Sequence, residues 1–120
     1  MKRQDQKRQG LPQFLLQDGT MLKFMPGDSW VVGRATPTGT VVDIDLTPHG
    51  GAENGVSRQH VCIRWEEERF TIEDLQSHNE TVLNRARLLA GQPYPLADGD
   101  QLALGAMRLT FVINVAAKTA

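Results

Sequence analysis

Three short polar segments carry the residue types that could bind an anion. They are Gly33-Arg34, residues 55–60 and residues 77–84, and each adjoins an apolar, strand-like run. An Arg guanidinium donates parallel hydrogen bonds to two phosphate oxygens, and Ser hydroxyls and Asn amides satisfy the remaining lone pairs. Phosphothreonine, with a charge of about −1.5 to −2 at neutral pH, gains most from such donors. The residue types therefore predict a phosphate site, provided that the three segments meet.

The apolar pattern predicts how the segments meet. Nowhere do apolar residues recur at helical spacing for ten positions, whereas short runs bounded by Gly, Pro, Asn and Asp recur throughout. We predict an all-β fold of two packed antiparallel sheets, a β-sandwich, in which alternate inter-strand loops lie at one end. The predicted strands cover residues 14–17, 21–25, 30–32, 60–65, 70–74, 82–83, 87–89, 94–96, 102–104 and 108–115, with mostly loop over 35–55.

Length and charge narrow the classes of function. A chain of 120 residues can bury roughly two-thirds of its unfolded surface without disulfide or metal staples. The first ten residues are basic, whereas the whole chain has a net charge of −1, so the remainder is acidic. An acidic body lacks the broad basic surface that nucleic-acid binding requires. We expect no nucleic-acid partner, and we expect positive charge to act locally through a few arginines.

The cysteine and the apolar runs predict the compartment. Cys62 is the single cysteine and stands between Val61 and Ile63, which is typical of a small buried apolar residue in a reducing compartment. No apolar run approaches the ~20 residues that span a bilayer, and residues 1–10 lack the apolar segment of a secretory signal. We expect a cytoplasmic protein that does not insert into membranes.

Four sequence blocks, none of them specific alone, resemble a forkhead-associated (FHA) domain by their order and spacing over roughly residues 12–115. They are Trp30-Val31-Val32-Gly33-Arg34, the S-x-x-H match at residues 57–60, the match to D-L-x-S-x-N-G-T-x-x-N at residues 74–84, and residues 96–105. The resemblance implies an FHA/SMAD-like sandwich of about eleven strands that binds phosphothreonine peptides on loops at one end. A phosphorylated protein, such as a Ser/Thr kinase or its substrate, is the implied partner.

The resemblance also implies a role for individual residues. The implied phosphopeptide-binding residues are Arg34, Ser57, Arg58, His78 and Asn79. The implied supports of the binding loops are Gly33, His60, Thr81 and Asn84. We expect the domain to cover residues 11–116, with a flexible basic tail at 1–10 and a second tail at 117–120.

Two positions depart from the family pattern. Glu80 replaces the glycine of N-G-T, which restricts the backbone and adds negative charge near the expected phosphate site. His78 stands where the family often has Thr or Ser, and its protonated imidazole, favoured below pH ~6.5, could compensate for the lost hydroxyl. An alternative function is therefore a phosphate-independent scaffold or oligomerisation domain on the same fold.

Catalysis and metal binding receive little support from the sequence. A Ser57–His60 hydrolase, the remote alternative, needs an orienting carboxylate and an oxyanion hole, and the chain has no G-x-S-x-G turn. The Asp pairs at 43 and 45 and at 98 and 100 lack calcium-loop spacing, and the histidines and Cys62 lack zinc spacing. We predict a protein that is not an enzyme and that has no cofactor and no metal.

Overall fold

The computed structural model describes residues 10–113, so the tails predicted at residues 1–10, except for Gly10, and at 117–120 lie outside the described residues. Within this range the chain forms eleven strands and one 3₁₀ turn. The strands are β1 (Gln13–Leu16), β2 (Met21–Lys23), β3 (Ser29–Gly33), β4 (Ile44–Asp45), β5 (Gln59–Glu66), β6 (Arg69–Asp74), β7 (Thr81–Leu83), β8 (Ala86–Arg87), β9 (Pro93–Leu96), β10 (Gln101–Leu104) and β11 (Met107–Val112).

The strands form two sheets. One has six strands in the order β2-β1-β11-β10-β7-β8, and the other has five in the order β4-β3-β5-β6-β9. Strand pairs are antiparallel, except that β3 pairs with β4 in parallel. The predicted all-β sandwich is confirmed. No helix within residues 10–113 has the length and apolar character needed to cross a membrane.

Alternating apolar residues explain the six-stranded sheet. Leu102 and Leu104 of β10 are buried, and Leu109 and Phe111 follow the same period in β11. Because successive strand residues point to opposite faces, this period places one face of the sheet in the core. In β5 the four successive residues from His60 to Ile63 are buried instead, and among them Cys62 is a buried free thiol, as predicted.

Aromatic rings join the two sheets. Phe14 and Phe111 of the six-stranded sheet meet Trp30 and Phe70 of the other, and Phe24 lies among them. Ring centroids are 5.0 Å apart for Phe14 and Phe24 and 5.3 Å apart for Phe70 and Phe111, both edge-to-face. Such pairs add about 0.5–1.5 kcal/mol to the free energy of burial. The rings thus hold the strands that carry the loops.

The antiparallel register brings three loops to one end of the sandwich. Strand β5 begins beside the end of β3, where Gly33 pairs with Gln59, and beside the end of β6, where Val61 pairs with Asp74. The loops β3–β4, β4–β5 and β6–β7 therefore leave the body together. This is the arrangement that the phosphate-site prediction requires.

The segment 35–55, predicted as mostly loop, contains two short elements. Ile44 and Leu46 are buried, and Ile44 lies on β4. A 3₁₀ turn over Thr47–His49 follows, ending at Gly50 with a left-handed φ of 87°. The sequence did not predict this turn, because one turn is too short to leave a periodic apolar pattern.

The ring cluster predicts a large loss of stability for Phe111→Ala. Phe111 is 0% exposed, and truncating a buried Phe typically costs about 3–5 kcal/mol in the free energy of unfolding. Met25→Ala, at a side chain 66% exposed, is the control and should change stability by less than about 0.5 kcal/mol. Urea unfolding measures both, and equal midpoints for the two variants would contradict this account of the core.

Candidate functional site

A cleft of about 540 Å³ opens at the loop end of the sandwich. The residues that line it come from all three polar segments, and they include Arg34, Ser57, Arg58, His78 and Asn79. The structure therefore brings together the five residues expected to bind a phosphopeptide. Their roles in binding stay predictions.

Gly33 lets the first two segments touch. The β3–β5 register shifts between Val32 and Gly33, and a Cβ atom built on Gly33 would lie 2.0 Å from the Arg58 carbonyl oxygen. A side chain at position 33 would clash with this carbonyl. The backbone of the second segment can therefore approach β3 this closely only because β3 has a glycine at this position. The next residue, Arg34, donates its backbone N–H to the same Arg58 carbonyl at 2.9 Å.

A hydrogen bond to the backbone of the second segment orients the Arg34 side chain. Its Nε–H donates to the Val56 carbonyl at 2.5 Å. This bond fixes the plane of the guanidinium group, whose two terminal nitrogens carry four further N–H donors. Arg58, an exposed residue, also lines the cleft. The cleft-lining residues, all within the described range 10–113, include two arginines and no carboxylate.

The buried side chain of His60 connects the second and third segments. The Ser57 backbone N–H donates to Nδ1 of His60 at 3.0 Å, and Nε2 of His60 lies 3.4 Å from the Glu80 carbonyl oxygen. Because Nδ1 accepts a hydrogen bond, the neutral ring carries its proton on Nε2, which can donate to that carbonyl. The same two segments are joined a second time, because the Ser57 hydroxyl accepts the His78 backbone N–H at 2.8 Å.

Burial keeps His60 neutral. The side chain is 0% exposed, and this desolvation lowers the pKa of His60 below its usual value. The Glu80 carbonyl and the charge of Asp74 raise the pKa, but by less. A proton on Nδ1 would also point at the Ser57 N–H, so two donors would face each other and the hydrogen bond between them would be lost. The neutral imidazole is therefore the form that holds the loops together.

Asn79 forms a second bridge between loops. Its Nδ2 donates to the Gly55 carbonyl at 2.9 Å. The resemblance implied only a phosphopeptide-binding role for Asn79, so this bracing bond was missed. Gly105 and Ala106, in the turn between β10 and β11, add support by donating backbone N–H groups to the carbonyls of Glu80 at 3.0 Å and Asn54 at 2.8 Å.

A buried carboxylate organises the third segment. Asp74 Oδ1 accepts the hydroxyls of Ser77 and Thr81, each at 2.5 Å, and Oδ2 accepts the Ser77 backbone N–H at 3.1 Å. Burial alone would raise the pKa of Asp74, but these hydrogen bonds outweigh it and hold the pKa below its usual value. Thr81 is buried and its hydroxyl contacts Asp74, and its role as a support of the binding loops stays a prediction. The Asp-x-x-Ser spacing was the sequence signal for the contact between Asp74 and Ser77.

Asn84, expected to support the binding loops, lies elsewhere. It follows the distal end of the three-residue strand β7, and its side chain accepts the Gln101 N–H at 3.0 Å and donates to Asp100 Oδ1 at 3.3 Å. These contacts join the β7–β8 hairpin to the start of β10. Asn84 does not line the cleft, and its expected role as a support of the binding loops stays a prediction.

Glu80 does not occupy the cleft either. Its carboxylate lies 3.8 Å from Nε of Arg87, both side chains are exposed, and Glu80 lines two neighbouring depressions instead. The described non-glycine residues with positive φ do not include Glu80, so its backbone does not need a glycine. Both concerns about Glu80 are thereby corrected: the charge points toward β8 and the backbone is unstrained.

Fold and site define a β-sandwich with a cationic loop cleft, and comparisons with known proteins agree. A family model, described as FHA domain, matches residues 30–105. Protein FraH of Nostoc sp. (strain PCC 7120) is 39% identical over 75 residues, 62% of this chain. FhaA, an FHA domain-containing protein of Mycobacterium tuberculosis, is 43% identical over 53 residues, 44% of this chain. The aligned parts are only 26% of FraH and 10% of FhaA.

Solved structures share the whole architecture. The FHA domain of a hypothetical protein of Arabidopsis thaliana superposes with a TM-score of 0.70 at 25% identity, covering 86% of this chain and 85% of that one. The FhaA FHA domain, solved in complex with the intracellular domain of Rv3910, gives a TM-score of 0.64 at 30% identity, with 83% and 98% covered. The chain belongs to the FHA domain family.

The lowered pKa of His60 predicts a pH-dependent stability. Since the unfolded chain has a His pKa of about 6.5, it binds a proton more readily than the fold does, and the free energy of unfolding falls as pH drops below that value. One such group contributes at most about 1.4 kcal/mol per pH unit.

Urea unfolding of three proteins between about pH 5 and pH 8 checks this, across the range where His titrates. His78→Gln, a change at an exposed residue of the same site, should keep the wild-type slope, whereas His60→Gln should reduce it. An NMR titration of the His60 ring in the wild type should have its midpoint below the usual value. Equal slopes in all three proteins would contradict the role given to His60.

Proposed function

We propose that the cleft binds phosphothreonine in a protein or peptide, so that the chain is a module for phosphorylation-dependent protein association. The observation that carries the proposal is the meeting of Arg34, Ser57 and Arg58 in one carboxylate-free cleft. The chain as a whole has a net charge of −1. A dianion is therefore attracted to this cleft by local cations and not by the general charge of the molecule.

Three of the cleft residues, Arg34, Ser57 and Asn79, have donors left for such a ligand. The Nε–H of Arg34 is used by Val56, and the terminal nitrogens are the ones suited to a phosphate fork. The Ser57 oxygen accepts from His78, which leaves its own O–H to donate. Asn79 uses one amide hydrogen on Gly55, and its second hydrogen and its carbonyl oxygen suit a peptide backbone.

Relatives support the same ligand class. An FHA domain studied for phosphothreonine-dependent interactions is 28% identical, with a TM-score of 0.68 and 88% of this chain covered. FhaA was solved with an intracellular domain of another protein. By analogy, the partner proposed here is a phosphothreonine-containing protein, such as a Ser/Thr kinase or its substrate. We assign this function to residues 11–116. We also propose a cytoplasmic location, which agrees with the free thiol of Cys62.

The geometry of His60 favours binding over hydrolysis. A catalytic His would need a ring nitrogen within hydrogen-bond reach of the Ser57 hydroxyl. Instead, Nδ1 accepts the Ser57 backbone N–H and Nε2 faces the Glu80 carbonyl. Both ring nitrogens thus contact loop backbone and not the Ser57 hydroxyl, which supports a non-enzymatic module. The phosphate-independent scaffold was suggested by the negative charge of Glu80 near the site. That charge lies beside Arg87 and outside the cleft, so it gives this alternative less support.

Arg34→Ala should weaken binding of a phosphothreonine peptide by roughly ten- to 150-fold, because each charge-assisted hydrogen bond is worth about 1.5–3 kcal/mol. Titration calorimetry against a phosphothreonine peptide library supplies the ligand and then measures the affinity. Arg85→Ala is the matched control, since Arg85 is an exposed arginine in the turn after β7, and it should leave affinity unchanged.

Two results would count against the proposal. One is equal affinity of the wild type and Arg34→Ala for the phosphorylated peptide. The other is equal affinity of the wild type for phosphorylated and unphosphorylated peptides. Association that ignores phosphate and survives Arg34→Ala would establish the scaffold alternative instead.

A further inference from the structure

The β3–β4 loop contains three threonines, at positions 36, 38 and 40. The Thr36 N–H donates to the Thr40 carbonyl at 3.1 Å, and the Thr40 N–H donates to the Thr36 hydroxyl at 2.9 Å. The Gly39 N–H also donates to the Thr36 carbonyl at 3.4 Å, and the three bonds close a tight turn. Residues 37–39 at its tip are exposed, whereas Thr40 is half-buried and lines the phosphate cleft.

Thr40 is thus a hydroxyl-bearing residue in the wall of the proposed anion site. The charged side chains that share the cleft with it are Arg34 and Arg58, and within the described residues no carboxylate lines the same space. A dianion attached to Thr40 would therefore face cations only. Of the three threonines, Thr40 is the one that lines the cleft, while Thr38 at the exposed tip does not.

We infer that Thr40 is a phosphorylation site whose phosphate occupies the cleft of its own chain and competes with the phosphopeptide. A Ser/Thr protein kinase would supply the γ-phosphoryl group of ATP. The bond from Thr40 Oγ1 to phosphorus forms as the bond to the bridging oxygen breaks, the hydroxyl proton passes to the kinase base, and ADP leaves. The inference rests on the proposed function, since both ligands use Arg34 and Ser57.

Tethering makes this competition effective. A ligand joined to its site by a short segment acts at a concentration of the order of millimolar, without any new contact. Val41, which follows Thr40, is 80% exposed, and the turn that a kinase must open is closed by three hydrogen bonds among Thr36, Gly39 and Thr40. Loop openings of this kind lie at the low end of local unfolding free energies.

The first test uses the full chain with phosphothreonine installed at position 40 and, as matched control, at position 38. Phosphorus NMR over pH reports the second ionisation of each phosphate. Nearby arginines favour the dianion, so the phosphate on Thr40 should titrate at lower pH than the one on Thr38, and Arg34→Ala should reduce the difference. Identical titration of the two phosphates would overturn the inference without any phosphopeptide being needed.

The second test measures affinity for the phosphothreonine peptide selected by the unmodified chain. Phosphate on Thr40 should weaken binding at least tenfold, and phosphate on Thr38 should change it by less than about threefold, because only the first enters the site. Equal affinity of the Thr40-phosphorylated and unmodified chains would overturn the inference while leaving the proposed function intact.

Two other outcomes separate the two claims. If the unmodified chain selects no phosphopeptide, the proposed function fails, and the phosphorus titration alone decides whether the phosphate on Thr40 enters the cleft. If only the Thr40-phosphorylated chain self-associates with rising concentration in sedimentation, the phosphate is bound by a second copy, and occupation within one chain is overturned.

Discussion

The buried imidazole of His60 is the link on which the cleft depends. It lies near the start of β5, accepts a hydrogen bond from the Ser57 backbone and faces the Glu80 carbonyl, so one side chain sets the spacing of two loops. The neutral form is essential to the Ser57 contact, because only an unprotonated Nδ1 accepts that N–H, and burial favours this form by lowering the pKa of the ring. A group that is often catalytic in other proteins serves here as a structural bridge.

Around this link the sandwich separates stability from recognition. The aromatic cluster between the sheets anchors β3, β5 and β6 through apolar burial. In the loops at their ends, Leu46 and Val56 pack into the core, while hydrogen bonds such as Asn79 to Gly55 and the hydroxyls on Asp74 join the polar parts. Binding residues can therefore be polar and partly exposed, because the strands beneath them are fixed independently.

The parts of this arrangement that the sequence predicted are those with a local signal. Alternating apolar residues marked strands such as β10 and β11, and antiparallel connection then required the three polar segments to share one end. Arg34 and Ser57 could be singled out from the sequence on that basis.

What the sequence did not predict depends on contacts between distant residues. The direction of the Glu80 side chain follows from Arg87 across a hairpin, and the location of Asn84 follows from the length of β7. The bond from Asn79 to Gly55 joins loops 24 residues apart. Such pairs leave no periodic trace, because they arise only after the sheets have packed.

The central claim is that one tetrahedral anion is held jointly by the first and second polar segments. A crystal structure of the chain with a bound phosphothreonine peptide tests it most directly. The account predicts phosphate oxygens within about 2.7–3.2 Å of the Arg34 guanidinium and the Ser57 hydroxyl. A phosphate bound outside this cleft, or an Arg34 side chain turned away from it, would contradict the claim even with the fold unchanged.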